Sequence, residues 1–415
     1  MRYISPLPRT APAPSPARVA VMGSTGSIGR NTLRVMEEWK ERFSPAALAA
    51  GKNIRLLARQ AAAWRPPFLA ILDKDGPSGV SELKKLLPGG YHPEILAGPD
   101  GYSALASLPE ADIIVSAQSG AAGLGATVSA VASGKTVCLA NKESLVMAGG
   151  LIRSACQKTG ACILPVDSEH WAIFQCIAGR SGADLSRLII TASGGPFRTL
   201  PSEKLDAVRP EDALNHPNWS MGSKITVDSA SLMNKGLEVI EACHLYQASL
   251  DEVEVLVHPQ SLVHSLVELT DGSLLAQMAV ADMRIPIAGA LSWPALLGRE
   301  RTGTSRLDLA ACAALTFEKP RRSDFPCLDL ACQAFSGNLT IALNSANEVA
   351  VERFLNKEIS FTDIPRIVEH VLSVSPAQPE FFLEHDIQKE AFAALETIRN
   401  LDADARNAAA SWKKR

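Results

Sequence analysis

The stretch "ARVAVMGSTGSIGRNTLRVMEEW" limits the possible folds more than any other part of the chain. Arg18-Val19-Ala20-Val21-Met22 is a short apolar strand candidate, and from Ser27 onward Ile28, Leu33, Val35 and Met36 suit a helix. A strand that runs at once into a glycine turn and then a helix is the context in which a glycine pattern carries chemistry. Gly23, Gly26 and Gly29 permit a tight turn, close backbone approach to a pyrophosphate, and packing of the helix on the sheet. The helix N-terminus then offers N–H donors and the positive end of its dipole to phosphate. The spacing is G-x-x-G-x-x-G rather than G-x-G-x-x-G, and a plain tight turn is the competing explanation.

The second strand candidate, Ala46 to Ala50, ends in Gly51, Lys52 and Asn53. An Asp or Glu here would hold the ribose hydroxyls of NAD; lysine and asparagine suit a 2′-phosphate and favour NADP. A solvated surface lysine is the rival reading of Lys52. Ala70-Ile71-Leu72, Ile113-Ile114-Val115 and Thr136 to Ala140 continue the strand and helix alternation of a doubly wound parallel sheet. Such sheets bind ligands at the carboxyl ends of their strands. "NKES", Asn141 to Ser144, sits at such an end, and a simple helix cap competes with a binding role there.

The middle of the chain carries a different chemistry. In "LPVDSEHWAIFQ", Asp167 and Glu169 follow an apolar strand candidate and, on an extended backbone, leave the same face. Burying unpaired acids is expensive, so the two call for a shared cation. "ITASGGPF" ends a strand in a small-residue turn, where Ser193 and Gly194 can offer donors to an anion. In "HPNWSMGSKITVDSASLMNKGLEVIEA", Ile225-Thr226-Val227 reads as a strand leading into Asp228 and Ser229, and then into a helix. Asn234 and Glu238 share one face of that helix, with Lys235 one step round. Asp167, Glu169 and Glu238 thus lie at element ends, an oxygen set suited to Mg²⁺ or Mn²⁺ rather than zinc. Ser193, Ser229, Asn234 and Lys235 together suit a phosphate. Taken singly, each residue is equally a helix cap or a member of a buried ion pair.

Composition removes several function classes. A net charge of −3 over 415 residues leaves no basic surface for nucleic acid. Eight cysteines without a C-x-x-C pair fit reduced thiols of a cytoplasmic protein. No run approaches the ~18 apolar residues of a membrane helix. The leader "MRYISPLPRTAPAPSPA" has no apolar segment and is rich in proline, which predicts a disordered extension over residues 1–17.

The blocks "GSTGSIG", "LAAGKN", "LANKESLV", "PVDSEHWAIFQ", "TASGGPF", "HPNWSMGSKITVDSASLMNKGLEVIEA" and "HPQSLVHSLVELTDGSLLAQM" resemble the 1-deoxy-D-xylulose 5-phosphate reductoisomerase family. "NSANEVAVERFL" resembles its C-terminal helical part. The resemblance implies an α/β chain with a Rossmann-like NADPH-binding domain, an α+β catalytic domain and a C-terminal helical domain. The expected boundaries are 18–166, 167–301 with a lid loop, a linker over 302–326, and 327–415. It implies a cytoplasmic homodimer subunit that rearranges 1-deoxy-D-xylulose 5-phosphate and reduces it with NADPH to 2-C-methyl-D-erythritol 4-phosphate, a step of isoprenoid precursor synthesis. Asp167, Glu169 and Glu238 would hold Mg²⁺ or Mn²⁺, with Co²⁺ a further candidate. Thr25, Gly26, Ser27, Ile28, Gly51, Lys52, Asn53, Asn141, Glu143 and Gly222 would contact NADPH. Lys142, Ser168, Ser193, His216, Ser229, Asn234 and Lys235 would contact substrate, with Lys142, His216 and Glu169 catalytic. Residues 210–221 would form the lid, with Trp219 over the ligand.

Two departures stand out: Ser223 replaces a frequent basic residue after the lid, and "VSAQSGAAGL" is less apolar than is usual. His258 and His264, six apart in a strand candidate, are expected to be structural histidines. The helical stretches 327–335, 339–356, 361–372 and 386–409 have apolar faces and no evident chemistry. The rival functions are an NADP-dependent dehydrogenase acting on another phosphorylated or semialdehyde substrate, and a non-catalytic NADP sensor. The first would not need all three carboxylates, and the second should have lost some.

Overall fold

The computed structural model describes residues 1–7, 16–216, 219, 221–312 and 314–414. Seven parallel strands form the first sheet: β1 (Ala17–Met22), β2 (Phe43–Ala50), β3 (Phe68–Ile71), β4 (Glu94–Ala97), β5 (Ile113–Ser116), β6 (Thr136–Leu139) and β7 (Cys162–Pro165). They alternate with α1 (Ser27–Glu38), α2 (Ile54–Trp64), α3 (Val80–Leu86), α4 (Gly98–Ala106), α5 (Leu124–Ala132) and α6 (Lys142–Thr159). The central strands are apolar on both faces because helices cover both. The order β4-β3-β2-β1-β5-β6-β7 places β5 directly beside β1. The direction of winding therefore reverses between them, and a crevice opens at their carboxyl ends. The glycine turn enters that crevice. At Gly29 a Cβ would lie 2.3 Å from the Gly23 carbonyl oxygen, so only glycine lets α1 pack this closely on the turn. β2 starts three residues before the expected Ala46, because Pro45 sits at a register shift against Val19 where its missing N–H costs no ladder bond.

The second sheet is mixed, in the order β11-β10-β8-β9, built from β8 (Leu185–Ala192), β9 (Val253–Val257), β10 (Val263–Leu269) and β11 (Leu274–Met278). α7 (Ser168–Ile177) connects the two sheets and packs on β10 and β11. α8 (Pro210–Ala213), α9 (Ser223–Ala230) and α10 (Met233–Tyr246) follow β8, while α11 (Arg284–Ser292) and α12 (Arg299–Thr302) return to α1. The expected strand at Ile225-Thr226-Val227 is instead the body of α9. The β-branched triplet favours a strand locally, but Thr226 and Val227 are buried within the helical packing and the Thr226 hydroxyl donates to the Gly222 carbonyl at 2.8 Å.

The segment 302–326 touches the second sheet through a bridge between Val257 and Glu318, and Phe317 stacks on His258. α13 (Cys327–Ser336), α14 (Thr340–Leu355), α15 (Asp363–Val374) and α16 (Ile387–Ser411) complete the chain, with α14 central and in contact with α6 and α9. The eight cysteines are free. No helix among the described residues is long and apolar enough to cross a membrane.

The leader departs from expectation over its first seven residues. Ile4 is 1% exposed, the Tyr3 hydroxyl donates to the Ile163 carbonyl at 2.9 Å, and the Ile163 N–H donates to Ser5 Oγ at 3.0 Å. β7 is an edge strand, and this segment occupies polar groups that no neighbouring strand can pair. Residues 8–15 of the leader lie outside the described residues.

Candidate active site

Asp167 and Glu169 do not share an extended backbone. β7 stops at Pro165, Asp167 is the N-cap of α7, and Glu169 lies in that helix's first turn. The strand-to-helix turn still brings both acids to one point, and α10 delivers Glu238 to the same place. One carboxylate oxygen from each lies within 4.8 Å of the others. Lys142, at the start of α6, places Nζ 2.5 Å from Asp167 Oδ2, 3.0 Å from Glu238 Oε1 and 2.8 Å from Asn234 Oδ1. Lys235 Nζ lies 2.9 Å from Glu169 Oε1, donates to the Thr191 carbonyl at 2.6 Å, and also pairs with Glu238 Oε2. The Ser168 hydroxyl donates to Glu169 Oε2 at 2.5 Å.

Burial alone would lower both lysines, but the carboxylates outweigh it. Asp167, Glu238 and Glu241 hold Lys142 well above its ordinary value, and Glu169 and Glu238 raise Lys235. Three formal negative charges meet two positive ones, leaving a net −1. Such a cluster suits a hard divalent cation, since oxygen donors are already gathered and one charge is uncompensated. Beneath it, His170 Nε2 lies 3.3 Å from Glu241 Oε2, both fully buried. Burial pushes the imidazole down to about 3 and the Glu241 carboxyl well above its usual range.

These side chains face a cavity of about 640 Å³. Gly26, Ser27 and Ile28 of the glycine turn form one wall, and Lys142 and Glu143 the next. Asp167, Ser168, Glu169 and Glu238 line the cavity together with Ser193, Ser229, Asn234 and Lys235. His216, Trp219 and Gly222 border the mouth. Ser193 Oγ and His216 Nε2 are 3.0 Å apart, and the Trp219 N–H donates to His216 Nδ1 at 3.0 Å. Pro217, Asn218 and Ser220 of the expected lid lie outside the described residues.

A second cavity of about 530 Å³ continues the groove, sharing Gly26, Ala117, Gln118 and Ser119 with the first and reaching Gly51 and α16. Thr25, Lys52, Asn53 and Asn141 line neither cavity. Asn53 caps α2 by accepting from the Leu56 N–H at 3.1 Å, and Lys52 is exposed. Asn141 is fully buried: it caps α6 and donates to the Gln118 and Gly120 carbonyls at 2.8 and 2.9 Å.

Several members of the site had no sequence assignment. Lys224 lines the cavity and joins Glu143 at 2.6 Å to Asp228 at 2.9 Å; its one sequence signal is the four-residue spacing to Asp228. Arg30 lies on the exposed face of α1 beside the glycine turn. His264 is not a remote structural histidine: it lines the cavity, its ring 6.3 Å from that of Trp219. His258 does hold structure, with Nδ1 2.9 Å from the Thr316 carbonyl and Nε2 accepting from the Leu262 N–H.

Comparison with known proteins agrees with this arrangement along the whole chain. The family description "1-deoxy-D-xylulose 5-phosphate reductoisomerase" matches residues 19–149, and descriptions of that family's C-terminal domains match 163–246 and 278–408. The chain is 54% identical to the 1-deoxy-D-xylulose 5-phosphate reductoisomerase of Oleidesulfovibrio alaskensis over 411 residues, 98% of each chain. It is 48% identical to that of Lawsonia intracellularis over 414 residues, 99% of this chain and 98% of the relative. Among solved structures, a DOX-P reductoisomerase in complex with NADPH, fosmidomycin and magnesium superposes with a TM-score of 0.87 at 38% identity, covering 95% of this chain and 98% of that one. The Zymomonas mobilis enzyme in complex with NADPH gives 0.84 at 42% identity, covering 96% and 99%. With its glycine turn, acidic cluster and helical C-terminal region in one shared order, the chain belongs to the 1-deoxy-D-xylulose 5-phosphate reductoisomerase family.

Proposed function

We propose that the chain converts 1-deoxy-D-xylulose 5-phosphate to 2-C-methyl-D-erythritol 4-phosphate with NADPH and a divalent cation, Mg²⁺ or Mn²⁺. One observation carries the reading: three carboxylates from α7 and α10 meet two buried lysines in the cavity that the glycine turn of β1 also lines. A cation held by Asp167, Glu169 and Glu238 would supply Lewis-acid polarisation of the substrate's carbonyl, and NADPH the hydride that reduces the rearranged aldehyde.

The rest of the chemistry falls to the chain's own groups. Lys142 pairs with Asp167 and Glu238 and orients the substrate's oxygens. Ser193, Ser229, Asn234 and Lys235 present hydroxyl, amide and ammonium donors for the phosphate, and Ser168 stands beside Glu169 to orient a substrate hydroxyl. Gly26, Ser27 and Ile28, the backbone at Gly51, and Glu143 border the groove for the dinucleotide, while Asn141 holds its floor. His216 and Trp219 close the mouth and exclude water. The chain works as a cytoplasmic homodimer: β11 leaves an open sheet edge with Leu274 54% exposed, a surface suited to pairing with a second copy.

The reading is tested by NADPH oxidation on addition of 1-deoxy-D-xylulose 5-phosphate. Turnover with Mg²⁺, and none after chelation, is expected. Oxidation that needs no metal would favour a simple dehydrogenase.

A further inference from the structure

Helix α14 carries Asn347 and Glu348, in the "NSANEVAVERFL" stretch to which the sequence attaches no chemistry. Asn347 is fully buried, and its amide donates to Asp228 Oδ1 at 2.8 Å. Glu348 accepts the Ala121 N–H at 2.9 Å and an amide hydrogen from Asn344 at 3.0 Å, and it pairs with Arg406 of α16 at 2.5 Å.

From Asp228 the contacts run to Lys224 at 2.9 Å and on to Glu143 at 2.6 Å. Glu143 accepts from Asn141 Nδ2 at 3.1 Å, and the same amide donates to the Gly120 carbonyl at 2.9 Å. Gly120 precedes Ala121, whose N–H Glu348 holds, so the circuit closes on itself. It passes through the turn after β5, the start of α6, the helix α9 that follows the lid, and α14. The Glu348 carboxylate lies against the turn where Gly120 has a positive φ of 66°, a conformation that favours glycine.

Both cavities touch this ring. Glu143 and Lys224 line the first, and Ala121 and Arg406 line the second. Removing one partner from a buried polar network strands the others, and Asn347 Oδ1 already lacks a hydrogen-bond partner among the described residues. We propose that Asn347 and Glu348 are positioning residues for the dinucleotide: they touch neither cofactor nor substrate, but fix the turn after β5 and helix α9, which form two walls of the cofactor groove. The inference rests on NADPH being the cofactor, as proposed above.

The alternative is a purely structural lock between the C-terminal helices and the sheet. That role would lower the melting temperature and leave the binding constants of the folded fraction alone. The test measures NADPH dissociation constants by fluorescence titration, and half-activating Mg²⁺ concentrations in turnover, on the full chain and its Asn347→Ala, Glu348→Ala and Glu348→Gln variants. The alanine variants are expected to weaken NADPH binding about tenfold, a typical size for coupling through such a network, with the Mg²⁺ constant within about twofold of the parent. Glu348→Gln keeps an acceptor for the Ala121 N–H and should recover most of the loss. Unchanged NADPH affinity, or NADPH and Mg²⁺ constants shifting together, overturns the inference. Should an alanine variant fail to fold, Asn347→Ser and Glu348→Gln are judged by the same two constants, with a smaller but selective loss of NADPH affinity expected. A parent chain that does not bind NADPH would overturn the cofactor reading and this inference with it; parental binding that the variants share overturns the inference alone.

Discussion

The Lys142 ammonium bridges two acids from different elements, 2.5 Å from Asp167 Oδ2 and 3.0 Å from Glu238 Oε1. It therefore occupies the oxygens that a divalent cation needs, and the two compete. Lys142→Met is expected to bind Mg²⁺ more tightly in a calorimetric titration while losing turnover on the order of a hundredfold, the usual effect of removing a positioned proton donor. Without metal the variant leaves Asp167 without its cationic partner and melts lower, and Mg²⁺ should restore the difference. Weaker Mg²⁺ binding in the variant would show that the lysine supports the cation rather than rivalling it.

Glu238 is 1% exposed, yet two lysines and Asn234 surround it. Glu238→Gln keeps the shape and removes one charge that a hard cation prefers. Normal NADPH binding, an intact fold and loss of most turnover are expected, with partial recovery at high Mg²⁺ or Mn²⁺. Parental activity at every metal concentration would remove Glu238 from the metal site.

The first residues contribute stability that a disordered leader would not. Ile4→Ala should cost about 2–4 kcal/mol, as for other buried aliphatic truncations. Tyr3→Phe removes the hydroxyl bond to the Ile163 carbonyl and should cost about 1 kcal/mol. Urea unfolding at constant slope reads both. Unshifted midpoints would mean that this segment does not hold the β7 edge in solution.

His244 gives stability a pH dependence of known sign. Burial, with the Arg153 charge acting in the same direction, lowers it from 6.5 to about 4, while the unfolded chain keeps the ordinary value. Between those values the unfolded state binds the extra proton. Stability is therefore complete above about 6.5 and falls as pH drops toward about 4, by about 1.4 kcal/mol per unit and about 3 kcal/mol in all. His170, held at about 3, adds in the same direction. In His244→Gln the acid limb of a stability–pH curve should be shallower by about one proton. An identical limb in both proteins would place the loss elsewhere.

What the sequence made legible follows the reach of each signal. The glycine turn, the parallel strands and the four C-terminal helices are local patterns, and local periodicity reports them. Asp167 and Glu169 stood out because acids after an apolar run are costly wherever they fold, and Glu238 because it shares a helix face with Asn234. The Lys224–Glu143 pair, His264 and the Asn347–Asp228 contact depend on chain segments far apart, and no local pattern records them. The misread strand at Ile225-Thr226-Val227 shows the opposite failure, a strong local preference overridden by burial between helices. The first seven residues were misjudged for the same reason: a proline-rich stretch hid Tyr3 and Ile4, whose partners lie some 160 residues or more along the chain.

Cofactor choice tests the end of β2. Asn53 caps α2 through Oδ1 alone, so its Nδ2 hydrogens remain donors that a ribose phosphate can use. Gly51 lines the second cavity, which puts Lys52, exposed and one residue on, at the groove's rim. A cation there favours a 2′-phosphate, while a carboxylate would favour the free ribose hydroxyls. Lys52→Glu should therefore reduce the preference for NADPH over NADH about tenfold in kcat/KM, less than a buried pair would give because solvent screens an exposed charge. Most of that change should appear as a higher KM for NADPH, since the 2′-phosphate takes no part in hydride transfer. Raising the salt concentration should narrow the preference of the parent chain in the same direction. An unchanged ratio of the two cofactors in Lys52→Glu would make Lys52 a solvated surface residue, and discrimination would then have to come from another cation facing the groove, with Arg30 and Arg399 among the cavity-lining candidates to test.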